Sequence, residues 1–147
     1  MIEVHHLNNS RSQRILWLLE ELEAPYRIIN YKRVLDTNLA PEKLKTIHTL
    51  GKSPVISVDG KVIIESAAIS TYIIDHYAPS GFSPDQNDED YYKYLELMHY
   101  AEGSAMLPLL LLLYSSSLGE NAEPLICLLY TSPSPRDATL SRMPSSA

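Results

Sequence analysis

The stretch GKSPVISVDGKVIIES, residues 51–66, decides the fold. Val55 to Val58 and Lys61 to Ile64 are two short apolar runs on either side of Asp59-Gly60. That dipeptide supplies the positive φ angles a two-residue hairpin turn needs. On the upstream side, Pro54 pushes Ser53 into an extended conformation, so Gly51-Lys52-Ser53 leads into the first strand without a helix. On the downstream side, Glu65-Ser66 opens a helix in which Ala67, Ala68, Ile69, Tyr72, Ile73 and Tyr77 are apolar or aromatic. An antiparallel hairpin closed by a helix is therefore the anchor from which the rest of the chain is read.

Moving toward the N-terminus, Ile2 to His6 alternates and reads as a strand, with Ile2, Val4 and His6 on one face. Asn8-Asn9 gives a loop. Ser10 then opens a helix whose stripe is Ile15, Leu16, Leu18, Leu19 and Leu22, and Ser10 with Gln13 has the capping-box spacing. A second strand runs from Tyr26 to Tyr31, and Pro41 to Lys45 suggests a short helix with proline in its first turn. The order βαβαββα predicts an α/β, thioredoxin-like domain over residues 1–78. Residues 79–90 are rich in Pro, Ser, Gly and Asp and read as a linker. From Tyr91 a helical pattern returns and passes Pro108 into the run Leu109 to Leu113, so residues 91–126 read as the incomplete start of an all-helical domain. The apolar stretch from Ala105 to Tyr114 covers about half of the roughly 20 residues a membrane span requires, so no transmembrane span is expected.

Residues 127–147, CLLYTSPSPRDATLSRMPSSA, lose all periodicity. CLLYTSPSPRD can be encoded by a string resembling the adapter of a transposase-made sequencing library. The segment is accordingly read as translated adapter, a non-native tail. Sequencing the transcript across the codon for Ile126 tests that reading.

The chain has 147 residues, 12 Lys+Arg against 18 Asp+Glu, and one Cys. Leaving out residues 127–147 removes two Arg, one Asp and the Cys, so 10 basic and 17 acidic residues remain, a net of −7. This balance argues against nucleic-acid or anionic-membrane partners. A single Cys excludes a disulfide framework and a Cys-x-x-Cys redox centre. MIEVHHLNNS lacks the basic and apolar regions of a secretory signal, and a soluble protein of a reducing compartment is expected.

Several motifs fall away on inspection. Gly51-Lys52-Ser53 resembles the end of a phosphate-binding loop, but position 46 is Thr and Pro54 forbids the helix that should follow. Asn8-Asn9-Ser10 matches a glycosylation sequon of no consequence without a signal peptide. His5-His6 lies on adjacent strand positions that face opposite ways, so no metal site is expected. No Gly-x-Ser-x-Gly elbow is present. Two constellations remain. Ser10-Arg11 stands at a helix start, where a hydroxyl and the helix dipole can stabilise a thiolate, although a serine there can also be a plain cap. Gly51 to Val55 offers extended backbone, while Glu65-Ser66 offers free N–H groups to a carboxylate and a carboxylate to an ammonium. Together they describe a pocket for a small zwitterionic thiol peptide.

VHHLNNSRSQRILWLLEEL, LGKSPVI, IIESAAISTYIIDHY and YAEGSAMLPLL, four separated blocks in order and spacing, resemble a fungal and bacterial subgroup of the glutathione transferase superfamily. The resemblance covers residues 2–77 and about 90–115. It implies a cytoplasmic detoxifying enzyme with glutathione as co-substrate, no other cofactor, a hydrophobic electrophile as second substrate, and a homodimer at full length. It implies that Ser10, with Asn9 or Arg11, stabilises the glutathione thiolate and that Pro54 is a cis-proline. Val55, beside Ser53, would offer its backbone to the cysteinyl unit, Glu65 and Ser66 would hold the γ-glutamyl end, and Lys52 would meet the glycine carboxylate. The alternatives are a non-catalytic glutathione-fold binding protein, or a glutathione-dependent peroxidase on the same scaffold. A Cys-based thiol transfer is disfavoured because no Cys precedes residue 127.

Overall fold

The computed structural model describes residues 1–115; the segment read as translated adapter and the last part of the 91–126 segment lie outside the described residues. The elements are β1 (Ile2–Leu7), α1 (Ser12–Glu21), β2 (Tyr26–Tyr31), a 3₁₀ turn (Glu42–Thr46), β3 (Val55–Val58), β4 (Lys61–Ile64) and α2 (Ser66–Tyr77). They are followed by α3 (Tyr91–Tyr100), a π-helical turn (Ala101–Ala105) and α4 (Met106–Ser115). The sheet order is β2-β1-β3-β4, with β1 parallel to β2 and antiparallel to β3, and β3 antiparallel to β4. This is the thioredoxin-like arrangement that the element order predicts.

The hairpin forms as read. Asp59 and Gly60 have φ values of 48° and 76°, the paired positive angles of a tight primed turn. β1 departs from the expected one-sided alternation. Ile2 and Val4 are fully buried on one face, and His5 and Leu7 are buried on the other. The cause is topological: β1 is an interior strand of a sheet covered on both faces. On one face, Ile2, Val4, Ile56 and Val58 pack with Ile15 and Leu19 of α1 and Ile69 and Ile73 of α2. On the other, Leu7, Tyr31 and Val55 pack with Leu44 of the 3₁₀ turn.

Two element boundaries and types also require correction. The first helix begins at Ser12, not Ser10; Arg11 holds the N-cap position without a side-chain cap bond, and the Ser10–Gln13 capping box does not form. Gln13 N–H meets the Ser10 carbonyl instead, and Ser10 Oγ accepts from the Ser12 N–H. The segment after Pro41 is a five-residue 3₁₀ turn and not an α-helix, long enough only to seat Leu44.

By contacts the chain divides into two compact units, the first Met1–Tyr94 and the second from Leu95 onward. Residues 79–90 contain turns and bends but no helix or strand. The second unit continues the helix that starts at Tyr91 and runs to Ser115, 25 residues in all. Pro108 has no N–H to give the carbonyl four residues earlier, and the π turn just before it is the usual way a helix absorbs such a loss of register. Because the helix continues through this turn, it is longer than the Ala105–Tyr114 stretch and is long and apolar enough, by length and composition, to cross a membrane. Lys93 and Glu96 lie in its first two turns and Glu102 near its middle. Leu107, Leu109, Leu112 and Leu113 are exposed along its second half.

Candidate functional site

The sheet register gathers the predicted residues at one end. Val55 stands opposite Ile64, so Ser53-Pro54 and Glu65-Ser66 emerge together from the β3–β4 hairpin. Glu3 pairs with Ser57 and Val4 with Ile56 in antiparallel sense, which carries the far end of β1 and the loop after it toward the same edge. There the Ser53–Pro54 peptide bond is cis. Ser10 Oγ lies 3.3 Å from Ser53 Oγ, a meeting of residues 43 apart in sequence.

That contact belongs to a chain of polar groups. Ser53 Oγ donates to the carbonyl of His5 at 3.0 Å. Ser10 Oγ lies 2.7 Å from Ser12 Oγ, which is itself 2.8 Å from Nδ1 of His6. Ser12 is fully buried, yet its hydroxyl is satisfied within this chain and by a longer bond to the Leu7 carbonyl. On the opposite face of β1, buried His5 places Nδ1 3.0 Å from the Tyr31 hydroxyl and Nε2 2.9 Å from Ser57 Oγ. Desolvation pushes the His5 pKa below the ordinary histidine value, against a smaller opposing pull from Glu3. The two adjacent histidines thus serve separate networks on opposite faces and do not converge on one ion.

Asn9 sits in the left-handed region at φ 51°, and its loop is held by Arg33. The Arg33 guanidinium donates to the carbonyls of Asn8, Asn9 and Asn38, and its backbone N–H donates to Asn8 Oδ1. Glu65, at the N-cap of α2, has φ 67° and ψ 121°, a positive φ that is strained for a residue bearing a Cβ. Such an outlier is a mark of positional constraint: it aims the first turn of α2, and Ser66 behind it is buried. Glu65 itself is exposed, as is Lys52, while Arg11 is half-buried. Val55 is fully buried within β3, whereas Ser53, before the cis bond, is half-buried at the edge.

Sequence reasoning missed Ser12, His6 and Arg33. The signal for Ser12 was available: it shares the i, i+3, i+7 stripe of Ile15 and Leu19, and a hydroxyl on an apolar stripe must be hydrogen-bonded inside. Arg33 gives no signal in the sequence, because its three carbonyl partners converge only through loop geometry.

A hydroxyl just before a helix start thus faces a cis-proline loop on a thioredoxin-like sheet. The glutathione S-transferase N-terminal domain model matches residues 1–75, and the chain belongs to the glutathione S-transferase family. It is 47% identical over 107 residues to glutathione S-transferase 3 of Schizosaccharomyces pombe, covering 72% of this chain and 43% of that protein. It is 37% identical over 133 residues to glutathione S-transferase 1 of Saccharomyces cerevisiae, covering 84% and 55%. The chain thus spans about half the length of these curated relatives. A glutathione S-transferase structure from Actinobacillus pleuropneumoniae superposes with a TM-score of 0.71 at 31% identity, covering 89% of this chain and 63% of that one. A Phanerochaete chrysosporium glutathione transferase solved with oxidized glutathione shares the fold at TM-score 0.57 and 22% identity, covering 67% and 46%.

Proposed function

We propose that this chain binds glutathione and lowers the pKa of its thiol at Ser10, supplying the nucleophile of a transferase that attacks hydrophobic electrophiles. The observation that supports it most is the Ser10–Ser53 contact beside the cis Ser53–Pro54 bond. A ligand cysteinyl unit running along Ser53-Pro54-Val55 brings its sulfur to the Ser10 hydroxyl. The strained N-cap Glu65 and the first turn of α2 at Ser66 take the γ-glutamyl ammonium and carboxylate, by charge pairing and by the positive end of the helix dipole. Lys52 meets the glycine carboxylate. Asn9, held by Arg33, and Arg11 complete the surroundings of the thiolate. Catalysis then rests on thiolate population, since the thiolate and not the thiol is the nucleophile. Its setting is the cytoplasm, where glutathione is kept reduced, and the working form is a homodimer.

The test is a calorimetric and spectroscopic titration of glutathione. Binding with a bound-thiol pKa below that of free glutathione is expected, with Ser10→Ala returning the thiol toward its free value while leaving affinity within a few-fold. Glu65→Ala weakens binding more than Ser10→Ala. If Ser10→Ala changes neither affinity nor thiol pKa, the hydroxyl is only part of the turn and the catalytic assignment fails. Conjugation to an aromatic electrophile, scored against peroxide reduction, separates transferase from peroxidase chemistry.

A further inference from the structure

Resting on the reading of Ser10 as the thiolate's partner, we infer that His6 is a positioning residue that sets the direction of the Ser10 hydroxyl through Ser12. The argument is a count of protons along the chain. The His5 carbonyl can only accept, so the Ser53 hydroxyl spends its proton there at 3.0 Å and remains an acceptor toward Ser10. Ser10 and Ser12 share one hydrogen bond at 2.7 Å, and Ser12 and His6 Nδ1 share another at 2.8 Å. The Leu7 carbonyl competes for the Ser12 proton only weakly, at 3.4 Å.

Two orders satisfy the contacts at 2.7 Å and 2.8 Å. With Nδ1 of His6 bare, Ser12 donates to the ring and must accept from Ser10, which turns the Ser10 proton inward. With the proton on Nδ1, the ring donates to Ser12, Ser12 donates to Ser10, and the Ser10 proton turns away from Ser12, toward Ser53 Oγ at 3.3 Å or toward a thiolate that takes its place. Only the second order presents a donor to a thiolate. In the inward order, turning Ser12 toward Ser10 leaves the bare Nδ1 and the Ser12 oxygen facing each other at 2.8 Å, two acceptors without a proton between them. Exchange between the orders needs no change in charge. The imidazole proton moves from Nε2 to Nδ1 through solvent at a half-buried ring, and the two hydroxyls rotate.

The proposal is tested with the 147-residue chain and reduced glutathione, reading the bound-thiol pKa from the ultraviolet thiolate absorbance and affinity at a pH where the thiol is protonated. Expected results are that His6→Leu and Ser12→Ala lower the thiolate fraction at neutral pH by about three- to tenfold, the effect of one hydrogen bond. Affinity for the protonated thiol stays at the parent value. His6→Asn, whose amide N–H occupies the place of Nδ1–H, restores the parent pKa. Circular dichroism checks folding; should Ser12→Ala not fold, the His6→Leu and His6→Asn pair carries the test. A parent-like thiol pKa in His6→Leu, or a His6→Asn chain that behaves as His6→Leu, overturns the relay. If Ser10→Ala still raises the thiol pKa in that case, the Ser10 reading stands without it. If Ser10→Ala has no effect, the underlying reading fails and the relay with it.

Discussion

Glu65 carries opposed consequences for stability and binding that one pair of substitutions can separate. Its φ of 67° with ψ of 121° places a side-chain-bearing residue at a positive φ that is strained for a Cβ, a conformation that costs about 1–3 kcal/mol. Glu65→Gly relieves that strain, while the freer unfolded chain takes back about 0.5–1 kcal/mol. The net expectation is a gain of about 0.5–2 kcal/mol. At a urea dependence of about 1–3 kcal/mol per molar, this moves the unfolding midpoint upward by roughly 0.5 M. Glu65→Ala keeps the Cβ and hence the strain, so its midpoint should stay near the parent's. Both substitutions remove the carboxylate, and a charge-assisted bond to an ammonium is worth about 1.5–3 kcal/mol, or roughly 10- to 100-fold in glutathione affinity. Equilibrium urea unfolding and isothermal calorimetry on the three chains measure both quantities. A Glu65→Gly chain no more stable than Glu65→Ala refutes the strain argument. A Glu65→Ala chain that binds glutathione as the parent does refutes the ligand role.

Three further outcomes follow from the same geometry. Because burial holds the folded-state pKa of His5 below its unfolded value, the unfolded state takes up its proton first as pH falls. Stability is therefore full above the ordinary histidine range and declines as pH drops below about 6.5, by at most about 1.4 kcal/mol per pH unit. A thermal unfolding series should show this slope, and His5→Gln should flatten it. Arg33→Lys should loosen the Asn8–Asn9 loop nearly as much as Arg33→Ala, because one ammonium cannot reproduce a planar fork shared among three carbonyls. Amide exchange at Asn9 and Ser10 reports it, and full protection in Arg33→Lys would count against the claim. Gly51→Ala should cost about 1 kcal/mol or more, since Gly51 has φ 57° and a Cβ there would meet Lys45 Cγ at 2.7 Å. The Lys45 chain is flexible and can move aside, so Lys45→Ala should fail to rescue the variant. Rescue would place the cost in the contact and not in the backbone.

The fold was legible wherever one physical signal dominated. Asp59-Gly60 fixes the hairpin because few residues tolerate consecutive positive φ angles, and Ile15 and Leu19 mark the buried side of α1 because a helix repeats every 3.6 residues. β1 was misread as one-sided because a strand's own residues do not reveal that both faces will be covered. That depends on β2 and β3 flanking it, a property of the whole sheet. The start of α1 was placed two residues early because Ser10 resembles a cap by residue type. Its hydroxyl is engaged with Ser12 and Ser53, and a helix boundary set by tertiary partners lies outside any local rule.

The candidate site shows the same division more sharply. Its members were found singly, each for a local reason: an extended residue before proline, a helix opening at Glu65-Ser66, a hydroxyl after a strand. What converts them into a site is the register Val55 opposite Ile64 together with the antiparallel pairing of β1 and β3, which no single segment encodes. The connecting groups were the ones overlooked, because Ser12 and His6 do their work behind the surface that meets a ligand. A serine on an apolar helix stripe and a histidine next to a loop each have an ordinary structural explanation when taken alone. Their distances give them a joint one: Ser12 is the only route from His6 to Ser10 among the described hydrogen bonds, and it is fully buried. A buried hydroxyl between two such groups cannot turn to water when its partners change, and with only the longer Leu7 carbonyl contact at 3.4 Å beside them it passes their proton order on. That is why the direction of the Ser10 hydroxyl is a property of the strand behind it as much as of the loop that carries it.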